Sequence, residues 1–244
     1  MSSGEHSLEE VVRGSRFRLV IAADFFDLPE SMPFQDFFRP EARPWEWLPK
    51  IKEVLSGLVG NTAIRELPAG VHIEGEVYLG DSVKLPPYCF IKGPCWIGDG
   101  VEIRPSAHIR GNVIIGADSV IGNSCEYKNA LLMEKTQTPH FSYVGDSILG
   151  SGAHLGAGVI LSNLRFDQKN ILVNLDGERV DTGLRKFGAI LGDNAEIGCN
   201  TAVMPGSIVG KGSLIGPTTS FSGYLEPGKL YLEKGGHRKM PLKD

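Results

Sequence analysis

A repeat of six residues runs through the centre of this chain and constrains its fold more strongly than any other feature. A large apolar residue recurs at every sixth position, and a smaller residue usually stands two positions before it. Such internal periodicity indicates a repeat architecture in which each short unit stacks on its neighbours. The large residues are Ile73, Leu79, Leu85, Ile91, Ile97, Ile103, Ile109, Ile115, Ile121, Tyr127 and Met133, then Leu149, Leu155 and Leu161, and then Leu191, Ile197, Val203, Val209, Ile215 and Phe221.

Each hexad predicts one short strand followed by a turn, and three hexads close one triangular coil. The large residue then points into a prism, the smaller residue fits the tight corner, and glycine or asparagine takes the turn conformations with positive φ. The sequence therefore predicts a mainly β region over residues 65–225, with a core formed by the large residues.

Two segments interrupt this repeat. Residues 134–146 break the rhythm with polar side chains and predict an inserted loop. Residues 164–187 predict a second excursion, in which two strand-like runs flank Asp176 and Gly177 as in a β-hairpin. Because Leu161 and Leu191 keep the same phase, we expect this excursion to leave and re-enter the prism at one corner.

The two ends of the chain have a different pattern. Residues 1–64 predict a wrap with one amphipathic helix, because apolar side chains recur at helical spacing from Pro44 to Val59. Residues 226–244 form a tail that carries a basic cluster.

Composition limits the classes of partner. The formal net charge of −4 disfavours nucleic acid, and no apolar run reaches the roughly 18 residues that a membrane span requires. The amino terminus is too polar and acidic for a secretory signal, which predicts a cytoplasmic protein without a membrane partner. The four cysteines lack paired CxxC spacing and are interpreted as reduced packing residues.

The hexads resemble those of hexapeptide-repeat proteins over residues 71–223. The resemblance implies a mainly β fold, a left-handed parallel β-helix, here with a small α/irregular N-terminal region. Members of that class are mostly trimeric acyltransferases that use coenzyme A or acyl carrier protein, so the resemblance also implies a homotrimer with sites in clefts between prisms. Fold alone does not give the reaction, because zinc carbonic anhydrases and silent scaffolds share it.

Residues 126–169 closely resemble the acetyltransferase domain of bifunctional enzymes that make UDP-N-acetylglucosamine, especially the archaeal-type sugar-1-phosphate nucleotidylyltransferases. The segment 126–128 matches an E-x-K motif, the segment 140–146 matches H-x-x-Y-x-G-D, and the segment 156–158 matches a G-A-G that leads to Asn163. The glycine-rich G-x-G-T-R loop of the nucleotidylyltransferase domain has no match. The resemblance therefore implies a stand-alone acetyltransferase module that takes acetyl from acetyl-CoA, with glucosamine-1-phosphate as its expected acceptor.

The resemblance also assigns roles to individual residues. An amine that attacks a thioester must lose a proton, and His140 is the expected catalytic base because histidine titrates near neutral pH. Tyr143 is expected to orient an acyl or sugar oxygen, and Asn163 is expected to bind the sugar or its amine. Lys128 and Lys169 are the expected phosphate ligands, with Lys186 as an alternative to Lys169. His154 is a further substrate-binding candidate, at a position where the family usually has asparagine.

Coenzyme A and metal ions would require residues other than those that bind the sugar phosphate. Cys199 and Pro217 are assigned to the coenzyme A region, and Arg238 and Lys239 of the tail either bind its phosphates or are solvated. No metal is required, because backbone N–H groups can hold the oxyanion of an acyl transfer. A three-histidine zinc site at His72, His108 and His154 is disfavoured, because the close histidine pair of the carbonic anhydrases is missing.

Motif and geometry assign the sugar phosphate to different arginines. Arg104 matches the family's arginine-proline signature, whereas Arg110 lies three hexads, and so one coil, before Lys128. Because strands of neighbouring coils are about 4.8 Å apart, we assign Arg110 and Lys128 as the phosphate pair and place Arg104 on a different face.

The sequence leaves a second class of function open. The chain is either an N-acetyltransferase acting on an amino-sugar 1-phosphate, or a non-catalytic repeat module that binds a nucleotide sugar or supports an oligomer. The choice between glucosamine, galactosamine and a nucleotide-linked sugar also stays open.

Overall fold

The computed structural model describes residues 20–32, 34–61, 66–175, 178–233 and 237–241. Its main body is a three-sided prism of stacked coils, in which each coil adds one short parallel strand to each face. The left-handed parallel β-helix predicted from the hexads is confirmed. Within the described residues, no helix is both long and apolar enough to cross a membrane.

The first face begins each coil. Its strands are β1 (Val71–Glu74), β3 (Cys89–Lys92), β6 (His108–Ile109), the first half of β9 (Glu126–Leu132), the first half of β11 (Tyr143–Leu149), β13 (Ile160–Leu161), β18 (Ala202–Val203) and β21 (Ser220–Phe221).

The second face follows around the next corner. Its strands are β2 (Val77–Leu79), β4 (Cys95–Ile97), β7 (Val113–Ile115), the second halves of β9 and β11, β16 (Ala189–Leu191), β19 (Ser207–Val209) and β22 (Tyr224–Leu225).

The third face completes the coil and returns the chain to the first. Its strands are β5 (Glu102–Ile103), β8 (Val120–Asn123), β10 (Gln137–His140), β12 (His154–Leu155), β17 (Glu196–Ile197), β20 (Leu214–Ile215), β23 (Lys229–Glu233) and β24 (His237–Pro241).

The register explains how the hexads build the core. Ile91 pairs with Ile109, and Ile109 pairs with Tyr127, so one coil takes three full hexads in this part of the prism. The inward residues of all three faces form one continuous buried cluster. Burying a large apolar side chain stabilises the folded state by about 1.5–3 kcal/mol, so the stacked interior is the main source of stability.

The prediction of an inserted loop at residues 134–146 is wrong. These residues form β10 and the start of β11, and Thr138 and Val144 occupy inward positions there. The steps from Tyr127 to Leu132 and from Val144 to Leu149 are each one residue short of a hexad, so the coils in this part are shorter than three hexads by one residue. The six-residue period did not reveal this coil, because Thr138 stands where the period requires a large apolar residue. The inward positions after Tyr127 also come one residue earlier than the period predicts.

The shorter step also corrects the prediction for Met133. Leu132 points into the prism, whereas Met133 belongs to a second buried cluster outside it. Residues 162–188 leave the prism between Leu161 and the strand that ends at Leu191. In this excursion β14 (Leu172–Leu175) and β15 (Glu178–Asp181) pair as an antiparallel hairpin, whose turn residues 176–177 lie outside the described part.

The second buried cluster lies on the outer side of the second face. There the outward side chains Ile114, Leu131, Ile148, Ile190 and Ile208 are fully buried under residues 20–55 and under the base of the excursion. The covering segment holds three 3₁₀ turns, Ala22–Asp24, Gln35–Phe37 and Pro44–Glu46, and one α-helix, α1 (Trp47–Leu55). Phe25, Phe38, Trp47 and Ile51 are among its large side chains that are fully buried.

The prism continues into the predicted tail. Leu225 and Tyr231 occupy inward positions of the last coil, and β23 pairs with β20. The final strand β24 pairs antiparallel to β23. The tail boundary placed at residue 226 is therefore wrong, because β23 extends the third face by one more coil.

Candidate active site

Polar side chains collect on the first face, which residues 20–61 leave uncovered. They lie at its corner with the second face, on β6, β9, β11 and the start of the excursion. We refer to this group as the polar cluster: Arg110, Glu126, Lys128, Asn129, Tyr143, Asp146 and Asn163.

Asp146 is the centre of the polar cluster. It is only 5% exposed and takes a positive φ of 48°, which turns the chain at the corner. Its carboxylate accepts hydrogen bonds from Asn163 Nδ2 at 2.5 Å and from Asn129 Nδ2 at 2.9 Å. It also pairs with Lys128 Nζ at 3.3 Å. One buried charge is therefore held by two amides and one cation.

Tyr143 connects this centre to the open face. Its hydroxyl accepts a hydrogen bond of 3.1 Å from Asn163 Nδ2. Burial, followed by the charge of Asp146, raises the pKa of Tyr143. The phenol therefore stays protonated at neutral pH and can donate its proton to a ligand oxygen.

Arg110 lies one coil before Lys128, as the pairing of Ile109 with Tyr127 requires. Its guanidinium is 45% exposed and pairs with Glu126, with Nη1 and Oε1 2.5 Å apart. The hydrogen bond that the guanidinium donates to this carboxylate raises the pKa of Arg110. Arg104 lies at the corner of the third and first faces and pairs with Glu102 at 2.8 Å. The structure thus places Arg110, and not Arg104, at the corner of Lys128.

His140 lies on the opposite edge of the first face. It is the last residue of β10, and its side chain is exposed. Its carbonyl oxygen accepts bonds from Gly158 N at 3.2 Å and Ser142 Oγ at 3.1 Å. Within the described part of the chain, no hydrogen bond or ion pair links its imidazole to the polar cluster. Tyr143, three residues further on, is the member of the polar cluster that follows His140 most closely in the chain.

Two of the expected coenzyme A residues, Cys199 and Pro217, fall on the corner that carries His140. Gly158 N donates to the His140 carbonyl, Asn200 N donates to Ala157, and Thr218 N donates to Cys199, so this corner continues coil by coil. Cys199 and Pro217 are exposed on the two coils beyond Ala157. Arg238 and Lys239 lie on β24, and their side chains are outside the described part of the chain.

Three further candidates lie apart from the polar cluster. Lys169 and Lys186 are exposed on the excursion, and the Lys169 backbone amide donates to Asp167 at 3.2 Å. His154 is half-buried on the third face, in register with Gln137 and Glu196. The structure therefore joins Lys128, Tyr143 and Asn163 through Asp146, and it leaves Lys169, Lys186 and His154 apart from them.

Sequence reasoning missed the two carboxylates that neutralise the cations. Glu126 is part of the matched E-x-K motif and Asp146 is part of H-x-x-Y-x-G-D, but neither residue was assigned a role. A signal was available, because Asp146 follows Lys128 by three hexads and Glu126 follows Arg110 by slightly less, which in both cases is about one coil. Opposite charges at that spacing lie on adjacent coils and can pair.

The histidines considered for zinc do not converge. His72 pairs with Phe90, and Phe90 pairs with His108, so these two histidines are two coils apart on the first face, while His154 is on the third. In the described ranges, no three His, Cys, Asp or Glu side chains come together as a metal site requires.

Fold and surface together define a hexapeptide-repeat β-helix with a polar cluster on one open face. Residues 91–198 match the family model described as the GMPPB C-terminal domain. The chain is 39% identical over 178 residues to the bifunctional protein GlmU of Methanococcus vannielii, covering 71% of this chain and 42% of that protein. It is 35% identical over 184 residues to a bifunctional sugar-1-phosphate nucleotidylyltransferase/acetyltransferase of Sulfurisphaera tokodaii, covering 75% of this chain and 46% of that protein.

The predicted resemblance to these bifunctional enzymes is confirmed. A third relative, the bifunctional protein GlmU of Methanocaldococcus jannaschii, is 38% identical over 188 residues, which are 77% of this chain and 45% of that protein. The chain thus spans less than half the length of these relatives. The chain is also similar to a solved UDP-N-acetylglucosamine acyltransferase from Francisella novicida, with 14% identity and a TM-score of 0.47 over 71% of this chain and 67% of that one.

Proposed function

We propose that the first face binds an amino-sugar 1-phosphate beside acetyl-CoA and transfers the acetyl group to the sugar amine, with glucosamine-1-phosphate as the preferred acceptor. The observation that supports this best is the presence of an exposed histidine and the polar cluster on one uncovered face. The word acetyltransferase in the name of the Sulfurisphaera relative agrees with this chemistry.

His140 acts as the base in this proposal. The sugar nitrogen forms a bond to the thioester carbonyl carbon and gives its proton to the imidazole, and the C–S bond then breaks. The imidazolium returns the proton to the departing thiolate, so the products are an N-acetyl sugar phosphate and coenzyme A. A side chain in this role contributes about 10²–10⁴-fold in rate.

The polar cluster positions the acceptor. Tyr143 donates to a sugar or acyl oxygen, Asn163 contacts the sugar, and Arg110 and Lys128 bind its phosphate. The Arg110–Glu126 pair is exposed, and such pairs contribute only about 0–1 kcal/mol, so a phosphate can replace the carboxylate. Lys169 or Lys186 supplies additional positive charge from the excursion.

A second prism wall completes the cleft. The polar cluster lies on an open wall, so we propose a homotrimer in which a neighbouring copy supplies the opposite wall of the cleft without packing on the first face, and acetyl-CoA lies along the corner of Cys199 and Pro217. The protein is proposed to act in the cytoplasm. Light scattering should give the mass of three chains, and a fully active monomer at micromolar concentration would contradict the intersubunit cleft.

The direct test is thiol release from acetyl-CoA with a panel of acceptors. We expect release with glucosamine-1-phosphate and none with glucose-1-phosphate, which has the same phosphate and lacks the amine. Galactosamine-1-phosphate and a UDP-linked amino sugar then rank the acceptors. No release with any amino sugar would reject the enzyme.

The non-catalytic alternative is favoured by one observation, the neutralisation of Arg110 and Lys128 by carboxylates of the same chain. If no acceptor reacts, calorimetric binding of UDP-N-acetylglucosamine without turnover would support this alternative.

A further inference from the structure

The large side chains that fill the interior of the prism are mostly apolar, and only a few of them carry a hydroxyl. Among the described coils, and apart from the small serines and threonines at the corners, the large inward residues that carry a hydroxyl are Tyr127, Thr138 and Tyr231. Tyr127 and Thr138 are fully buried on two faces of one coil, and their hydroxyl oxygens are 2.5 Å apart. Burying polar groups in an apolar core costs free energy unless they are hydrogen-bonded, so this pair requires an explanation.

The pair is satisfied by the backbone on both sides. Thr138 Oγ1 donates to the Val120 carbonyl at 3.1 Å, which leaves the Tyr127 hydroxyl to donate to Thr138. The Tyr127 hydroxyl in turn accepts from Gly122 N at 3.2 Å. Burial raises the pKa of Tyr127 well above its ordinary value, so the hydroxyl keeps its proton.

Cys125 adds a second link to the same segment. Its thiol donates to the Thr138 carbonyl at 3.3 Å, and its sulfur accepts from Ser142 N at 3.1 Å. Both residues that lie two positions from His140, Thr138 before it and Ser142 after it, are thus held from inside the prism. The corner that presents His140 rests on buried hydrogen bonds rather than on apolar packing alone.

Gly122 completes the support from the preceding coil. A Cβ at this position would collide with the Thr138 carbonyl oxygen and with Pro139, so only glycine lets the strand before His140 approach this closely. The register there pairs Thr138 with Ile121 and His140 with Asn123.

We propose that Tyr127 is a positioning residue that acts through the Thr138 hydroxyl to fix the corner on which His140 is presented. The proposal rests on the function proposed above, in which His140 is the base. Its physical reason is that a catalytic group held about 1 Å from its productive place loses up to about 10²-fold in rate.

The test compares Tyr127→Phe with Tyr231→Phe, which removes the same hydroxyl from an inward position four coils away. Tyr127→Phe should lower kcat about tenfold to a hundredfold, with the KM for acetyl-CoA within about twofold of wild type. Thr138→Val should have the same effect, and the double variant should be no slower than either single variant. Thr138→Ser, which keeps the hydroxyl, should restore most of the rate, and Tyr231→Phe should leave it unchanged.

A second readout does not need turnover. The imidazole C–H resonances of His140 should shift in Tyr127→Phe and stay in place in Tyr231→Phe. Unchanged His140 resonances in Tyr127→Phe, or a Thr138→Ser variant as slow as Thr138→Val, would overturn the positioning role. An inactive wild type would reject the proposed function instead, and the resonances would still decide the positioning role.

Discussion

The first and second faces of the prism are built alike and used differently. Both consist of parallel strands whose inward residues join one buried cluster, so their contributions to the interior are equivalent. Their outward residues differ, because Ile148 on the second face is fully buried, whereas Ile160 on the first is 42% exposed. The comparison shows that the inward hexad position sets the fold, while the outward position decides whether a face packs or stays open for chemistry.

The largest expected effect comes from placing a charge on the covered face. Ile148→Asp buries a carboxylate under residues 20–55, so we expect a loss of about 4 kcal/mol or more in the free energy of unfolding. Ile160→Asp is the matched control, with the same change at the same outward position of the open face, and should cost within about 0.5 kcal/mol. Urea unfolding followed by tryptophan fluorescence measures both. Equal losses would show that the first face is covered as well.

A second prediction compares two cations at different corners. Arg110→Ala should raise the KM for the sugar phosphate about tenfold, because a hydrogen bond to a charged group contributes about 1.5–3 kcal/mol. Arg104→Ala should leave that KM within about twofold, since Arg104 lies at the other edge of the first face. Steady-state kinetics with glucosamine-1-phosphate measure the KM of both variants. A rise only in Arg104→Ala would place the phosphate at the arginine-proline motif.

A third prediction concerns the interior beneath the second face. Burial raises the pKa of the Cys95 thiol from 9.0 to about 12. Its contribution to stability is fully present below pH 9 and is lost as pH rises toward 12, because the unfolded chain releases the proton first. The unfolding free energy should therefore fall by about 1.4 kcal/mol per pH unit for this thiol.

Cys95→Ala should remove that slope, and Cys199→Ala, a change at an exposed thiol, should keep it. Denaturant unfolding between pH 8 and pH 11 measures the difference. Identical slopes in wild type and Cys95→Ala would show that the thiol ionises equally in both states.

The sequence predicted the prism because the inward positions obey a strict apolar period. It failed at the coil of Thr138, where a hydroxyl replaces a methyl group and where one step, like one step in the next coil, falls one residue short of a hexad. The amphipathic helix was predicted from the sequence, but the second face of the prism was not recognised as the surface on which it packs. A signal existed, because Ile114, Leu131 and Ile148 are apolar outward residues at the spacing of one coil.

The site was predicted more unevenly than the fold. Lys128, Tyr143 and Asn163 came from motif matches, and the structure joins them around Asp146. The central role of Asp146 depends on how far side chains reach across a corner with positive φ, which residue spacing does not give. The separation of His140 from these residues likewise follows from corner geometry.

We propose that His140 on the open face is the base of acetyl transfer, and substituting this side chain is the sharpest test of that role. His140→Asn should lower thiol release about 10²–10⁴-fold and leave the melting temperature unchanged, because the side chain is exposed and outside the core. His72→Asn, the same change at an exposed position of the first coil, should keep full activity. Full activity in His140→Asn would show that His140 is not the base. A loss of activity accompanied by a clear fall in melting temperature would show that His140 is structural.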